Sequence, residues 1–231
     1  MKITWIGQSG YLLRSGETTI LIDPYLSDAV ERVANRPRMV PALLDPAKIN
    51  VDAVFCTHDH LDHLDPDAIE QMPDTNTFYT TCGGATHLQS LGKSRVHPMK
   101  EGERIPLGSF LVTAVFADHT VEAVGLMVEA EGKKLYFSGD TLFHEKLFQM
   151  ADHSLDAAFL CINGKLGNMN LEEALVVAEK INAKVNIPNH YGMFASNTAD
   201  PYAFTSRISN GFVMDYGTEY DFEEVKKDVK A

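Results

Sequence analysis

The stretch Thr57-His58-Asp59-His60-Leu61-Asp62-His63 puts three histidines and two aspartates into seven residues. Imidazole nitrogen and carboxylate oxygen are donors that zinc accepts, as do manganese and iron. In an extended segment His58 and His60, two residues apart, face the same side and grip one ion together. Asp62 and His63 are adjacent and diverge, which suits a second ion beside the first. A solvated polar loop is the competing reading. It is disfavoured by what precedes the motif, the near-continuous apolar run "VDAVFC" expected of a strand buried on both faces. Carboxylates delivered by such a strand are costly without a partner.

Three more candidates follow strand-like runs. His119 comes after "FLVTAVFAD", Asp140 ends "KKLYFSGD" and His190 ends "KVNIPNH". Side chains at strand termini converge on one sheet edge, where open α/β folds place their sites. The other histidines, His87, His97, His144 and His153, lack that placement and read as structural or exposed, with His144 nearest a site rim. Asn163, Lys165 and Asn168 follow the apolar strand "AAFLCI" and are candidate contacts for an anionic substrate, the plainer reading being a Gly/Asn turn. Tyr191 is a candidate donor to a substrate oxygen, or a packing residue. Arg32, Arg36 and Arg38 form the one basic cluster, read as a lid over the site, a solvated helix face or a subunit contact.

Positioning these residues requires an ordered set of strands and helices. "KITWIG", "YLLRSG" and "TTILID" read as short strands. Asp65-Pro66 reads as an N-cap followed by Pro at the first helical position, opening a helix to about Met72. "TNTFYTT" reads as a strand and "ATHLQSLG" as a helix closed by Gly. "GLMVEA", "EG" and "KKLYFSGD" make a hairpin. Leu171, Ala174, Leu175, Ala178 and Ile181 recur at helical spacing behind a capping box of Asn170 and Glu173. "GFVMDYGTEYDF" reads as a final strand pair and "EEVKKDVKA" as a frayed charged tail. No linker or repeat interrupts residues 1–231, so one domain of layered α/β class is expected, with helices on the outer faces of its sheets.

Composition narrows the function. A hydrophobic share of 45% and a charged share of 23% are ordinary for a soluble globular protein. No apolar run approaches a membrane span, and "MKITWIG" lacks the features of an export signal. Three scattered cysteines give no disulfide framework, which points to the cytoplasm. A net charge of −12 disfavours nucleic acid and anionic membranes as partners. A small-molecule substrate is expected, and a homo-oligomer is compatible with the sequence.

His58-x-His60-x-Asp62-His63, His119, Asp140 in "FSGDT" and His190 in "IPNHYGMF" together resemble the ligand set of the metallo-β-lactamase superfamily. "ILIDPYLSD" resembles that superfamily's early aspartate motif, with Asp23 in its position. The resemblance implies a four-layer αββα sandwich with two metal ions at one sheet edge. It implies His58, His60 and His119 on the first ion, Asp62, His63 and His190 on the second, Asp140 bridging, and Asp23 orienting the metal loop. "DPYLSDAVERVANRPRMVPALLDP", "INGKLGNMNLEEAL" and "IPNHYGMFASNTADP" are similar to the L-ascorbate-6-phosphate lactonase (UlaG-like) branch. The activity implied is hydrolysis of a lactone, or of a phosphorylated sugar-acid lactone, by a metal-bridging hydroxide, with Asp62 the candidate catalytic residue for proton handling. Two divalent metal ions are expected, zinc or manganese before iron, although all three accept these ligands. An iron-based oxygen reductase of this fold is disfavoured, because a histidine and not an acid holds position 60. A phosphodiesterase or nuclease of the same fold and a non-catalytic metal-binding protein are the rival readings.

Overall fold

The computed structural model describes residues 1–228. Its strands are β1 (Lys2–Gly7), β2 (Gly10–Ser15), β3 (Thr18–Ile22), β4 (Ala53–Phe55), β5 (Phe78–Thr80) and β6 (Val96–Pro98). They continue with β7 (Arg104–Leu107), β8 (Phe110–Phe116), β9 (Val124–Ala130), β10 (Lys133–Phe137), β11 (Ala157–Cys161), β12 (Val185–Asn189) and β13 (Glu219–Asp221). One sheet has the order β13-β1-β2-β3-β4-β5-β6, the other β12-β11-β10-β9-β8-β7. Both are mixed: β3, β4, β5 and β6 pair in parallel, as do β10, β11 and β12, and the other pairings are antiparallel.

Alternation along the strands explains the layering. Ile20 and Ile22 on β3 and Ala53 and Phe55 on β4 enter the core that also holds Val112, Leu126, Leu135 and Phe159 of the second sheet. The intervening Leu21 and Val54, with Cys56, point the other way. There they meet Ala68 and Ile69 on helix α2 (Pro66–Gln71) and Leu88 on helix α3 (Cys82–Ser90), which follow a short α1 (Ala29–Ala34). The second sheet's outer face is covered by Leu147 and Met150 of a 3-10 helix (Glu145–His153) and by α4 (Leu171–Ile181). The result is the expected helix–sheet–sheet–helix order. α5 (Pro201–Thr205) and α6 (Phe222–Asp228) complete the helices, and none in the described residues is long and apolar enough to cross a membrane.

Local sequence rules account for most boundaries. Glu131 and Gly132, at φ 51° and 71°, form the two-residue turn between β9 and β10, as the Glu-Gly pair predicts. Asn170 caps α4 in a capping box with Glu173. The tail departs from expectation. Only Glu219–Asp221 forms a strand, paired with β1, while Gly211 makes an isolated bridge to Asn186. Residues 223–228 of the supposedly frayed tail are helical, and the last three lie outside the described residues. The strands before the candidate residues also stop early: β8 ends at Phe116, β10 at Phe137 and β12 at Asn189.

Asp65 does more than cap α2. Its carboxylate accepts from Ala68 N at 3.1 Å, Leu26 N and Ser27 N at 2.8 Å and Ser27 Oγ at 2.6 Å. It thereby ties the loop after β3 to the end of the histidine motif. Asp65→Ala removes a cap and strands one buried and two half-buried donors, so it is predicted to lower unfolding stability by about 3 kcal/mol in chemical denaturation. A loss below about 1 kcal/mol would show that the tie is dispensable.

Candidate metal centre

The histidine motif begins one residue after β4 and is not extended. Residues 57–60 are a run of bends, and His63 N and Leu64 N both bond back to His60 O, at 3.0 and 2.8 Å. This corrects the expected geometry: His58 and His60 converge because the chain folds on itself, not because alternate residues share a strand face. The same turn brings His63 back beside His58, with ring centroids 4.0 Å apart.

Two triads of donor atoms result. His60 Nδ1 lies 3.1 Å from both His58 Nε2 and His119 Nε2. On the other side, His190 Nε2 lies 3.4 Å and His63 Nε2 3.8 Å from Asp62 Oδ2. Asp140 stands between them, with Oδ1 3.2 Å from His63 Nε2 and Oδ2 3.1 Å from His190 Nε2 and 3.9 Å from His119 Nε2. All seven candidate ligands thus meet in one cluster.

The outer nitrogens decide which atoms face inward. His119 Nδ1 is 3.0 Å from Gly167 O, His63 Nδ1 is 2.8 Å from Asp23 Oδ2, and His58 Nδ1 is 3.1 Å from Thr57 Oγ1. With N–H groups directed at those acceptors, the Nε2 lone pairs of all three rings point into the cluster. Gly167 is required there: at φ 93°, a Cβ would sit 2.8 Å from His119 Nδ1. Asp23 accepts from Thr57 N at 2.7 Å and Thr57 Oγ1 at 2.8 Å besides His63, so it holds both ends of the motif.

These residues fit divalent cations. Three imidazole nitrogens crowded at 3.1 Å cannot all be satisfied by protons shared among themselves. Donors about 2.0–2.1 Å from one tetrahedral zinc stand about 3.3 Å apart, close to this spacing. His63 Nε2 and Asp140 Oδ1 are buried 3.2 Å apart and, among the described residues, neither makes a well-formed hydrogen bond, as befits a ligand pair for a cation. Electrostatics agree. Burial and the neighbouring His63 hold His58 well below the usual imidazole range. Burial opposes charge on Asp140, yet His190 and His63 outweigh it and keep the carboxyl ionised. Burial also opposes the His190 imidazolium, and Asp140 with Asp62 overcomes it, raising the ring to about 9. Metal uptake must displace that proton.

The candidate substrate contacts fare differently. Asn168 donates to Asp140 Oδ2 at 2.8 Å and to Asn163 Oδ1 at 3.0 Å, and Asn163 donates to Asn197 Oδ1 at 2.8 Å. Both are 5% exposed; Asn168 braces Asp140 directly, and Asn163 holds Asn168 while its own amide donates to Asn197 and to Lys165 O at 3.2 Å. Lys165 Nζ closes on Ser196 O at 2.9 Å. Tyr191 packs on Trp5 at 4.7 Å and has no hydrogen bond or ring contact to the seven cluster residues. His144 caps the 3-10 helix and packs at a tilt against Phe116, with ring centroids 5.0 Å apart. Gln8 was missed. It donates to Asp62 Oδ2 at 2.7 Å and reaches His190 Nε2 at 3.0 Å. Its one signal was a polar residue between glycines beyond a strand, in "IGQSG".

Asp23→Ala frees His63 to rotate and is predicted to weaken metal affinity roughly 10–100-fold, measured by competition with a chromophoric chelator. Affinity within about twofold of the unmodified chain would remove Asp23 from the site.

Residues 18–191 match the Beta-lactamase superfamily domain. A UPF0173 metal-dependent hydrolase of Oenococcus oeni is 31% identical over 242 residues, covering 96% of this chain and 100% of that relative. The solved structure of Igni18, a metallo hydrolase from the archaeon Ignicoccus hospitalis, is similar at TM-score 0.76 and 23% identity, over 95% of this chain and 98% of that one. An isothiocyanate hydrolase from Delia radicum gut bacteria is similar at TM-score 0.79 and 19% identity, over 96% and 98%. At such identities the two structural likenesses speak for the fold. Histidine motif, layered sheets and near-complete coverage of a curated relative lead to one assignment: the chain belongs to the UPF0173 metal-dependent hydrolases of the β-lactamase superfamily.

Proposed function

We propose that this hydrolase uses two divalent ions, zinc or manganese, to open a lactone or phosphorylated sugar-acid lactone in the cytoplasm. The observation that carries the two-ion reading is Asp140, within 3.9 Å of His119 on one side and 3.2 Å of His63 on the other. His58, His60 and His119 would hold one ion, Asp62, His63 and His190 the other. Bound there, the ions supply a nucleophilic oxygen from water at neutral pH and polarise the scissile carbonyl.

The chain's own residues do the rest. Asp140 is 5% exposed and braced by Asn168, which suits a fixed bridge. Asp62 is 17% exposed and reaches the cleft. Its Oδ2 is fixed by Gln8, and its Oδ1 has no hydrogen-bond partner among the described residues. Oδ1 is therefore the atom to take the proton of the attacking water and return it to the leaving alkoxide. The cleft over His60 and Asp62 is about 440 Å³, a small-molecule size. That volume and the net charge of −12 favour a compact substrate over a nucleic acid.

The test is a hydrolysis screen of metal-loaded protein against lactones, bis(p-nitrophenyl) phosphate and RNA. Lactone turnover that is lost on chelation, restored by zinc or manganese and reduced roughly a hundredfold or more in His60→Ala is expected. Turnover confined to phosphodiesters and RNA would contradict the lactone, and activity that survives chelation would contradict the metal.

A further inference from the structure

The arginine cluster resolves into two anchored side chains and a free one. Arg32 is closed on Asp67, with Nε 3.0 Å and Nη2 2.5 Å from its two oxygens. Arg38 donates to the carbonyls of Val40, Ser27 and Tyr25 at 2.7, 3.0 and 3.3 Å and lies over the Tyr25 ring. Arg36 has no hydrogen bond or ion pair among the described residues, yet it is half-buried and lines the cleft that contains His60 and Asp62. Asp62, the acid in the same cleft, is engaged by Gln8 and His190.

The segment carrying Arg36 is tethered on both sides. Besides the Arg32 and Arg38 anchors, Met39 N bonds to Met193 O at 2.8 Å, and Pro37 restricts the backbone at Arg36 itself. Because the backbone there is already ordered, binding an anion costs only the side chain's own rotamer freedom, and the planar guanidinium fork is pre-organised for two hydrogen bonds. The walls beside it are Val30, Leu61 and Leu166. Leu166 is 55% exposed at φ 55°, a left-handed conformation unfavourable for a bulky residue and typical of strain kept at binding sites.

We infer that Arg36 receives the anionic group, carboxylate or phosphate, of a substrate whose carbon body lies against Leu61 and Leu166 while its reacting carbonyl meets the metal centre. This rests on the hydrolase reading above and names its substrate class. It also assigns the basic cluster a recognition role through one residue, the other two arginines being its supports.

The test compares two esters of equal chain length, 4-nitrophenyl hydrogen glutarate, which carries a free carboxylate, and neutral 4-nitrophenyl pentanoate. The readout is the charged-over-neutral ratio of kcat/KM, which damage to folding or metal content leaves unmoved. Arg36→Gln is expected to lower that ratio about ten- to a hundredfold, with part of it restored in Arg36→Lys. An unchanged ratio would overturn the assignment. If the unmodified protein turns over neither ester, the hydrolase reading fails for esters, and calorimetric binding of glutarate to the metal-loaded protein decides Arg36 separately. Weaker binding by the same factor in Arg36→Gln supports it, and equal binding overturns it.

Discussion

The carboxylate of Asp140 is buried within 3.1 Å of His190 Nε2 and 3.2 Å of His63 Nε2, and the rest of the site is arranged around that contact. A buried carboxylate is tolerable only with compensating charge and donors. Here His63 and His190 supply charge in the absence of metal, and Asn168 supplies a hydrogen bond. The arrangement exchanges one compensation for another when cations replace protons. Asp23 and Gly167 matter for the same reason: by engaging the outer nitrogens of His63 and His119, they commit the inner ones to the cluster.

Holding so many polar groups together strains the backbone where strands from both sheets end. Gln8 after β1, Asp23 after β3 and His190 after β12 have φ of 52°, 41° and 62°, a region that disfavours residues other than glycine. Each is pinned by its neighbours. Trp5 Nε1 donates to Gln8 O at 3.0 Å, Asp23 N continues the ladder to Phe55 O at 2.8 Å, and Asn189, just before His190, is held by Tyr11 and Ser9. The two-sheet core supplies the rigidity that makes such conformations affordable.

Much of this was legible in the chain because strand-end placement survives translation into three dimensions. His119, Asp140 and His190 are far apart in sequence, yet each lies one to three residues beyond a strand, and parallel or sequential pairing delivers them to one edge. The loop geometry was not legible. Bends at residues 57–60 carry no periodic signal, and the left-handed turn at His190 places Tyr191 against Trp5 although the two residues adjoin. Gln8 follows a strand of one sheet and His190 a strand of the other, so only tertiary packing joins them. Short strands such as β6 and β13 exist because a neighbouring strand offers hydrogen bonds, which composition does not record. Among the arginines, sequence grouped three side chains that partner choice then separated.

In the proposed two-ion centre, two triads flanking Asp140 hold two cations. Anomalous diffraction from crystals grown with zinc or manganese would locate those ions. Two peaks are expected, one among His58, His60 and His119 and the other among Asp62, His63 and His190, with Asp140 against both. A single peak at full metal loading, or peaks outside these triads, would contradict the two-ion reading.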